Sequence, residues 1–391
     1  VCYRDDRTKD SMEQVFARVP RSEIFEKTGI QFQPFNTIYQ LSSERTLDEA
    51  ADMLLLPDLI NYFFTGRKAN EYSNATTTQM VNAATGSWDN DLIARLGIPA
   101  EILQPIIPAG TDLGPLKAEI ANELGLENVK VIAPATHDTA SAVAGAPLTA
   151  DSAYISSGTW SLIGIERNDA MINAEVARQN FTNEGGAYGT IRFLKNVMGL
   201  WIFESCRREW ESAGLDIGYD KLLGEISTAD AFQAFIFPDD PRFLNPPSML
   251  GAIEDQLAET GQEIETTPAA ISKVIFDSLA FRYASVLRSI ESLTGKSIAS
   301  IQILGGGGRN AYLNQMTADA SGIPAMTGLT EATVVGNVLV QAITSGGFDS
   351  LATARQHVAE SFDFEEFWPQ RPPEIDAATR RYEAIENRFL K

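Results

Sequence analysis

Asn128-Val129-Lys130-Val131-Ile132-Ala133-Pro134-Ala135 runs directly into Thr136-His137-Asp138-Thr139-Ala140-Ser141-Ala142-Val143-Ala144-Gly145. The first octet is short and β-branched, which reads as a buried strand. The second stretch is built of small residues and reads as the opening turns of a tightly packed helix. Asp138 stands at the corner, where two roles are open. It can cap the helix by accepting from its first amides. It can also serve as a general base at the carboxyl end of a strand, where open α/β sheets place their ligands.

Downstream, Ser152-Ala153-Tyr154-Ile155-Ser156-Ser157-Gly158-Thr159-Trp160-Ser161-Leu162-Ile163-Gly164-Ile165 contains two strand-like runs around a Ser-Ser-Gly-Thr turn. A hairpin tip of this kind offers amides and hydroxyls beside a glycine that permits close approach, which suits a phosphate chain. Taken alone, the segment is better read as an ordinary hairpin turn. A carboxylate corner followed so soon by such a tip points to phosphoryl transfer.

The chain has 391 residues, enough for two domains or three. Composition is ordinary, with 44% hydrophobic and 21% charged residues. A formal net charge of −21 argues against nucleic acid or an anionic membrane as partner. ATP remains compatible, because local amide nests, a few cations and Mg²⁺ can hold it. Cys2 and Cys206 are too few for a disulfide framework, which favours a reducing cytoplasm. His137 and His357 lie far apart, and no zinc-binding spacing occurs, so no metal ligands are assigned.

Working outward, residues 9–125 read as mostly helical. Helices are expected from Leu47 to Leu56, from Pro57 to the stop at Gly66, and around Trp88 to Leu96. The polar run Asn74-Ala75-Thr76-Thr77-Thr78-Gln79 is either a capped loop or part of a sugar pocket. Only one convincing strand, 128–134, precedes residue 150, and a lone strand cannot satisfy its own backbone. Either further strands lie hidden in residues 1–127 or the first domain lacks the part that carries its sheet; the second is the expectation.

The second half alternates more clearly. Leu194-Lys195-Asn196-Val197-Met198-Gly199-Leu200-Trp201 reads as the opening of a helix that reaches Ala213. The longest helix runs from Thr267-Pro268 to Thr294-Gly295, with a capping Thr and a terminal Gly. Ser300 to Leu304 is a strand, followed by Gly305-Gly306-Gly307-Gly308, a helix to Ser321, a strand over 323–326 and a helix from Glu331 to Ser345. Four glycines exceed what a tight turn needs and point to a flat or anionic ligand at a helix N-terminus. The last helix, from Glu374 to Leu390, reads as structural packing.

Two motifs match in part. Gly295-Lys296-Ser297 resembles the end of a phosphate-binding loop, but Ile290 replaces the required glycine and a helix precedes it. Gly306-x-Gly308-x-x-Ala311, with Glu331 about twenty residues on, fits a loose dinucleotide fingerprint. That makes an NAD(P)-dependent oxidoreductase the rival reading.

Taken jointly, several segments resemble the FGGY carbohydrate kinases. They are Tyr3-Arg4-Asp5-x-Arg7, Gly29–Thr37, Asn74–Gln79, His137–Val143, Ser156–Leu162, Thr182–Gly186, Leu194–Trp201 and Gly305–Gly307, in family order across almost the whole chain. The resemblance implies an α/β, actin-like fold of two domains on ribonuclease-H-like sheets with an interdomain cleft. Residues 1–147 would be the remainder of a sugar-binding domain and 148–391 a nucleotide-binding domain. It implies Asp138 as the base that accepts the sugar hydroxyl's proton, with His137, Thr139 and Asn196 on the sugar. Gly158, Thr159, Gly306 and Gly307 would meet ATP, and Mg²⁺ would accompany it.

Glu204 falls at a nucleotide-side position where a Gln is expected. A carboxylate there is unfavourable unless it is turned away, protonated or bridged by a cation. The family's Asp-x-Gly phosphate hairpin, its Mg²⁺-associated Asp and part of its sugar site find no counterpart before Tyr3. The resemblance therefore implies poor activity, or none, from these 391 residues alone. The expected partners are a small sugar and ATP, the assembly a monomer or homodimer. The nearest alternatives are another ketose or polyol as substrate, or a sugar-binding fragment without catalysis.

Overall fold

The computed structural model describes residues 6–8, 10–215 and 217–390; Tyr3, Arg4 and Asp5 of the family-like segment lie outside them. Contacts divide the chain into two units. The first comprises Val1–Pro147, Ile165–Lys195 and Glu331–Ser361, and the second Leu148–Gly164, Asn196–Thr330 and Phe362–Lys391.

The first unit begins with helices Ser11–Arg18, Arg21–Thr28 and Thr37–Ser43, which bury Val15, Ile24, Phe25, Ile38 and Tyr39. Leu47 to Leu56 does not form the expected helix. Only a 3-10 turn, Leu47–Glu49, forms, because none of its residues is buried and no partner rewards continuing it. The chain then extends to Met53, which bridges Leu103. Helix Leu56–Thr65 carries Pro57 in its first turn and ends at Gly66 with φ 76°, the asymmetry expected of it.

The strand Lys130–Ala133 forms with a partner that the sequence concealed. Thr111–Pro115 pairs with it antiparallel, from Thr111 opposite Ala133 to Pro115 opposite Lys130, with a register shift between Asp112 and Gly114. Gly114 and Pro115 break the alternation by which a strand is recognised. These two strands form a two-stranded sheet. Beside it, Ile60, Phe64, Leu116, Leu124, Val129 and Val131 line an apolar groove of about 640 Å³.

Helix Asp138–Gly145 follows at the corner, and all its residues from Thr139 to Gly145 are buried. Its small residues are explained by helix Ala332–Thr344, which crosses it at backbone distance. A Cβ added at Gly336 would lie 1.7 Å from the Ser141 carbonyl oxygen. Ala135, Ala140, Ala144 and Val340 close that contact with Ala109 and Ala187.

In the second unit the hairpin strands Ser152–Ser157 and Trp160–Arg167 pair antiparallel, with Ser157 opposite Ser161 at the tip. On the other edge of Ser152–Ser157 lies Ser300–Leu304, parallel to it, then Ala325–Thr327, also parallel, and finally the antiparallel Glu365–Phe367. An antiparallel hairpin beside parallel crossover strands is the arrangement implied for a ribonuclease-H-like sheet. Helix Pro268–Thr294, capped by Thr267 and closed by Gly295 at φ 67°, packs with Ala311–Ser321.

Leu194 to Met198 is not the start of a helix. It belongs to strand Ile191–Met198, whose first residues pair with Thr182–Gly185 in the first unit. Leu194, Val197 and Met198 are buried, and the helix begins only at Trp201. The last helix, Ile375–Phe389, docks through Glu386, which accepts from Ser285 Oγ at 2.7 Å and pairs with buried Arg282. Among the described residues no helix is long and apolar enough to cross a membrane.

Candidate active site

The first unit brings His137, Asp138 and Thr139 together at the strand-to-helix corner. His137, not Asp138, is the capping residue: its Nδ1 accepts from the Thr139 N–H at 3.2 Å. Asp138 is the first helical residue, where a negative charge is favoured by the helix dipole. Its Oδ1 accepts from Thr139 N at 2.5 Å and from Thr139 Oγ1 at 3.2 Å. The side chain is 80% exposed. Its Oδ2 has no hydrogen-bonding partner among the described residues, so one oxygen is oriented by the helix while the other faces solvent.

Two buried acidic groups support this corner, and neither was singled out from sequence. Glu71, fully buried, accepts from Thr136 N at 2.8 Å and from Thr136 Oγ1 at 3.0 Å. It also accepts from Ser73 N at 3.0 Å and from Ser73 Oγ at 2.5 Å, while that Oγ accepts from His137 N at 3.1 Å. Burial raises the Glu71 pKa above the ordinary carboxyl range, and the four donors oppose that shift. Behind it, Asp58 accepts from Glu71 N at 3.2 Å. Burial pushes the Asp58 carboxyl up to about 7, with the Glu71 charge adding to the rise.

On the ring side of His137 stands Glu184, its Oε2 4.0 Å from Nε2 and 3.0 Å from Nη2 of Arg192. Arg192 has no exposed surface and donates from Nε to the Gly185 carbonyl at 3.0 Å. Burial, and the Arg192 charge after it, hold His137 below the usual imidazole range. A neutral imidazole is what Nδ1 needs to accept the Thr139 amide. Glu184 lies inside the Thr182–Gly186 segment singled out from sequence, whereas Glu71 and Ser73 lie just ahead of the Asn74–Gln79 run. The missed signal is a carboxylate two residues before a serine, at the end of a two-residue strand.

The second unit brings the expected nucleotide residues together at one end of its sheet. Gly158 and Thr159 form the hairpin tip, and Thr159 is exposed. Their carbonyls turn toward the next helix: Gly158 O accepts from Leu200 N at 2.9 Å, and Thr159 O from Trp201 N at 3.2 Å. The tip thus fixes the start of helix Trp201–Ser212, which carries Glu204. Glu204 Oε2 accepts from Arg207 Nε and lies 3.0 Å from Arg207 Nη2, so a neighbouring cation neutralises it. Asn196 lies half-buried on strand Ile191–Met198.

The tetraglycine follows strand Ser300–Leu304 as a 3-10 turn, Gly306–Arg309. Three of its glycines answer to packing. Gly305 has φ 85°, a Cβ at Gly307 would lie 2.0 Å from Ser157 Oγ, and one at Gly308 would lie 2.2 Å from Thr327 Oγ1. Only at Gly306 does an added Cβ meet nothing within 4 Å, and Gly306 is exposed. Asn310 caps the following helix by accepting from Leu313 N at 3.0 Å. Four glycines therefore mark one open position and three close approaches.

No group of three or more His, Cys, Asp or Glu able to hold a metal ion occurs among the described residues.

The two-unit α/β architecture, with an exposed aspartate at one corner and a glycine turn at a sheet end, is joined by family matches that make the chain a sugar phosphotransferase. The chain belongs to the FGGY family of carbohydrate kinases, matching its N-terminal domain over residues 1–145 and its C-terminal domain over 153–345. It is 41% identical to a rhamnulokinase of Oceanobacillus iheyensis across 93% of this chain and 77% of that protein. Identity to a rhamnulokinase of Bacteroides thetaiotaomicron is also 41%, over 96% and 78% of the two chains. In fold it is similar to a ligand-bound xylulose kinase of Lactobacillus acidophilus, with TM-score 0.80, 17% identity, and 98% and 78% of the two chains covered. Membership in a kinase family removes the oxidoreductase reading of Gly306, Gly308 and Ala311.

Proposed function

We propose that this kinase transfers the γ-phosphoryl group of ATP to the 1-hydroxyl of L-rhamnulose, as the names of its 41%-identical relatives suggest. The observation that carries the chemistry is the exposed Asp138 carboxylate, oriented through one oxygen by the Thr139 amide. That carboxylate accepts the proton of the sugar hydroxyl as its oxygen attacks the γ-phosphorus, and the bond from phosphorus to the bridging oxygen of ADP breaks. His137 and Thr139 flank the sugar, and Asn196 is a further sugar contact. Thr159, Gly158 and Gly306 hold the nucleotide, while Gly307, expected beside them, is buried against Ser157 and shapes the turn instead. Mg²⁺, when bound with ATP, supplies charge neutralisation at the phosphates. Positioning and electrostatics account for most of the rate.

The test is transfer of label from γ-labelled ATP to a panel of ketoses and polyols, a readout that resolves slow rates. L-rhamnulose should be the preferred acceptor. Asp138→Asn should lower kcat by at least about a hundredfold with little change in the KM for ATP. Preference for another sugar would reassign the substrate. Unchanged kcat in Asp138→Asn would remove the base.

A further inference from the structure

We propose that Glu71 is a positioning residue for phosphoryl transfer, fixing the two peptide groups on which the Asp138 carboxylate is presented. This rests on the reading of Asp138 as the base.

Between the end of strand Lys130–Ala133 and the start of helix Asp138–Gly145, the backbone belongs to neither element. Amides in such a gap must find partners elsewhere if they are not to be left unsatisfied. One side chain, 65 residues upstream of Thr136, serves two of them. Glu71 takes the Thr136 N–H directly and the His137 N–H through Ser73 Oγ. Asp138 is the next residue, so the direction in which its Cα–Cβ bond leaves the corner is set by these two held peptides.

The chemistry at position 71 is specific. Glu71 Oε2 receives three donors, Ser73 Oγ, Thr136 N and Thr136 Oγ1, while Oε1 receives Ser73 N. A carboxylate can accept at all of these points. A glutamine has only one accepting oxygen: turned toward Ser73 Oγ and Thr136 it sets its NH₂ group against the Ser73 N–H, and turned the other way it loses Thr136, so the four-donor arrangement is broken in either orientation at nearly unchanged volume. Burying an acidic group without exposed surface is unfavourable unless it is fully hydrogen-bonded. A structure that needed only packing at this point would carry an apolar residue more cheaply.

The experiment compares Glu71→Gln, Ser73→Ala and Asp138→Asn in the full chain, using the labelled-ATP assay with L-rhamnulose and normalising to folded protein by circular dichroism. Glu71→Gln should lower kcat by about a hundredfold, the loss typical of a reacting group misplaced by about 1 Å, with the KM for ATP within about threefold of wild type. Ser73→Ala leaves the Glu71 bonds to Thr136 in place and removes only the His137 support, so it should lower kcat about tenfold with the same split. A merely structural role would reduce the folded fraction and leave kcat per folded molecule unchanged.

If kcat per folded molecule stays within about threefold in both variants while Asp138→Asn is inactive, the positioning role is wrong and the base stands. If Asp138→Asn retains turnover, it is the reading of the base that fails. Should Glu71→Gln not fold, Ser73→Ala alone decides: an unchanged kcat overturns the inference.

Discussion

The corner at Asp138 and the turn at Gly305–Gly308 are both strand exits, yet they are held in opposite ways. In the first unit, side-chain carboxylates reach across the sequence to backbone amides: Glu71 to Thr136, Asp58 to Glu71. In the second, backbone meets neighbouring side chains at distances only glycine tolerates, as at Gly307 against Ser157 and Gly308 against Thr327. The corner that carries Asp138 is fixed by hydrogen-bond geometry and responds to charge. A turn suited to a phosphate chain is fixed by steric exclusion and is indifferent to pH. Substitutions should separate these regimes.

The largest effect is expected where the steric hold is tightest. Gly307→Ala places a methyl 2.0 Å from Ser157 Oγ and 2.5 Å from Ser157 Cβ, the rigid end of a side chain on a central strand. It should destabilise the second unit by about 3 kcal/mol, measured as a lowered urea midpoint. Ser157→Gly in the same background should recover part of that loss, because it removes both clashing atoms. No recovery would mean that strain elsewhere in the turn, not this contact, requires the glycine.

The electrostatic regime predicts a smaller, pH-dependent effect. Asp58 is buried, and its carboxyl is raised to about 7 from an ordinary value of 3.8. The fold therefore binds this proton more tightly than the unfolded chain does. The resulting stabilisation is complete below the unfolded pKa and is lost as pH rises through about 7. Asp58→Asn should flatten the fall in stability between about pH 5 and pH 8 by about 2 kcal/mol, read as the difference in urea midpoints between variant and wild type. An identical slope in both proteins would place the carboxyl's titration outside that range.

At Gly306 the same alanine substitution sharpens the comparison, because nothing lies within 4 Å of the added Cβ and φ is not left-handed. Stability should stay within about 1 kcal/mol of wild type, with any change upward. The KM for ATP should rise, since the methyl stands where the nucleotide is proposed to approach. An unaltered KM would move the nucleotide away from this turn.

The difference between the regimes also governs what could be read from sequence. Regular periodicity announced strand Lys130–Ala133, helix Pro268–Thr294 and the alternation from Ser300 onward. Asp138 stood out because a strand ran directly into a small-residue helix. The partner strand Thr111–Pro115 stayed hidden because a bulge and a proline erase its period. The later part of strand Ile191–Met198, from Leu194 on, reads as a helix start because the strand is buried on both faces and carries no alternation. Glu71 leaves only a faint local trace, a carboxylate two residues before a serine, because its partner Thr136 lies 65 positions away and local pattern does not encode such pairings. The glycine turn is legible in the sequence, but not which of its glycines is open and which are packed, since that depends on Ser157 and Thr327 in other strands.

The smallest effect is expected at Glu204, where the two regimes meet on one helix. Its carboxylate lies on the exposed face of Trp201–Ser212 and is already taken by Arg207, three residues on. Arg207 has a second partner in Glu211, so replacing Glu204 leaves the guanidinium paired. An exposed ion pair of this kind contributes about 0.5 kcal/mol or less, because solvent screens it and both side chains lose rotamer freedom. Glu204→Gln should thus change the urea midpoint very little and keep the KM for ATP within about threefold. A tenfold fall in that KM would show the carboxylate repelling the phosphates directly, and a tenfold rise would show it binding the nucleotide. Either result would mean that Arg207 does not neutralise it in the working enzyme.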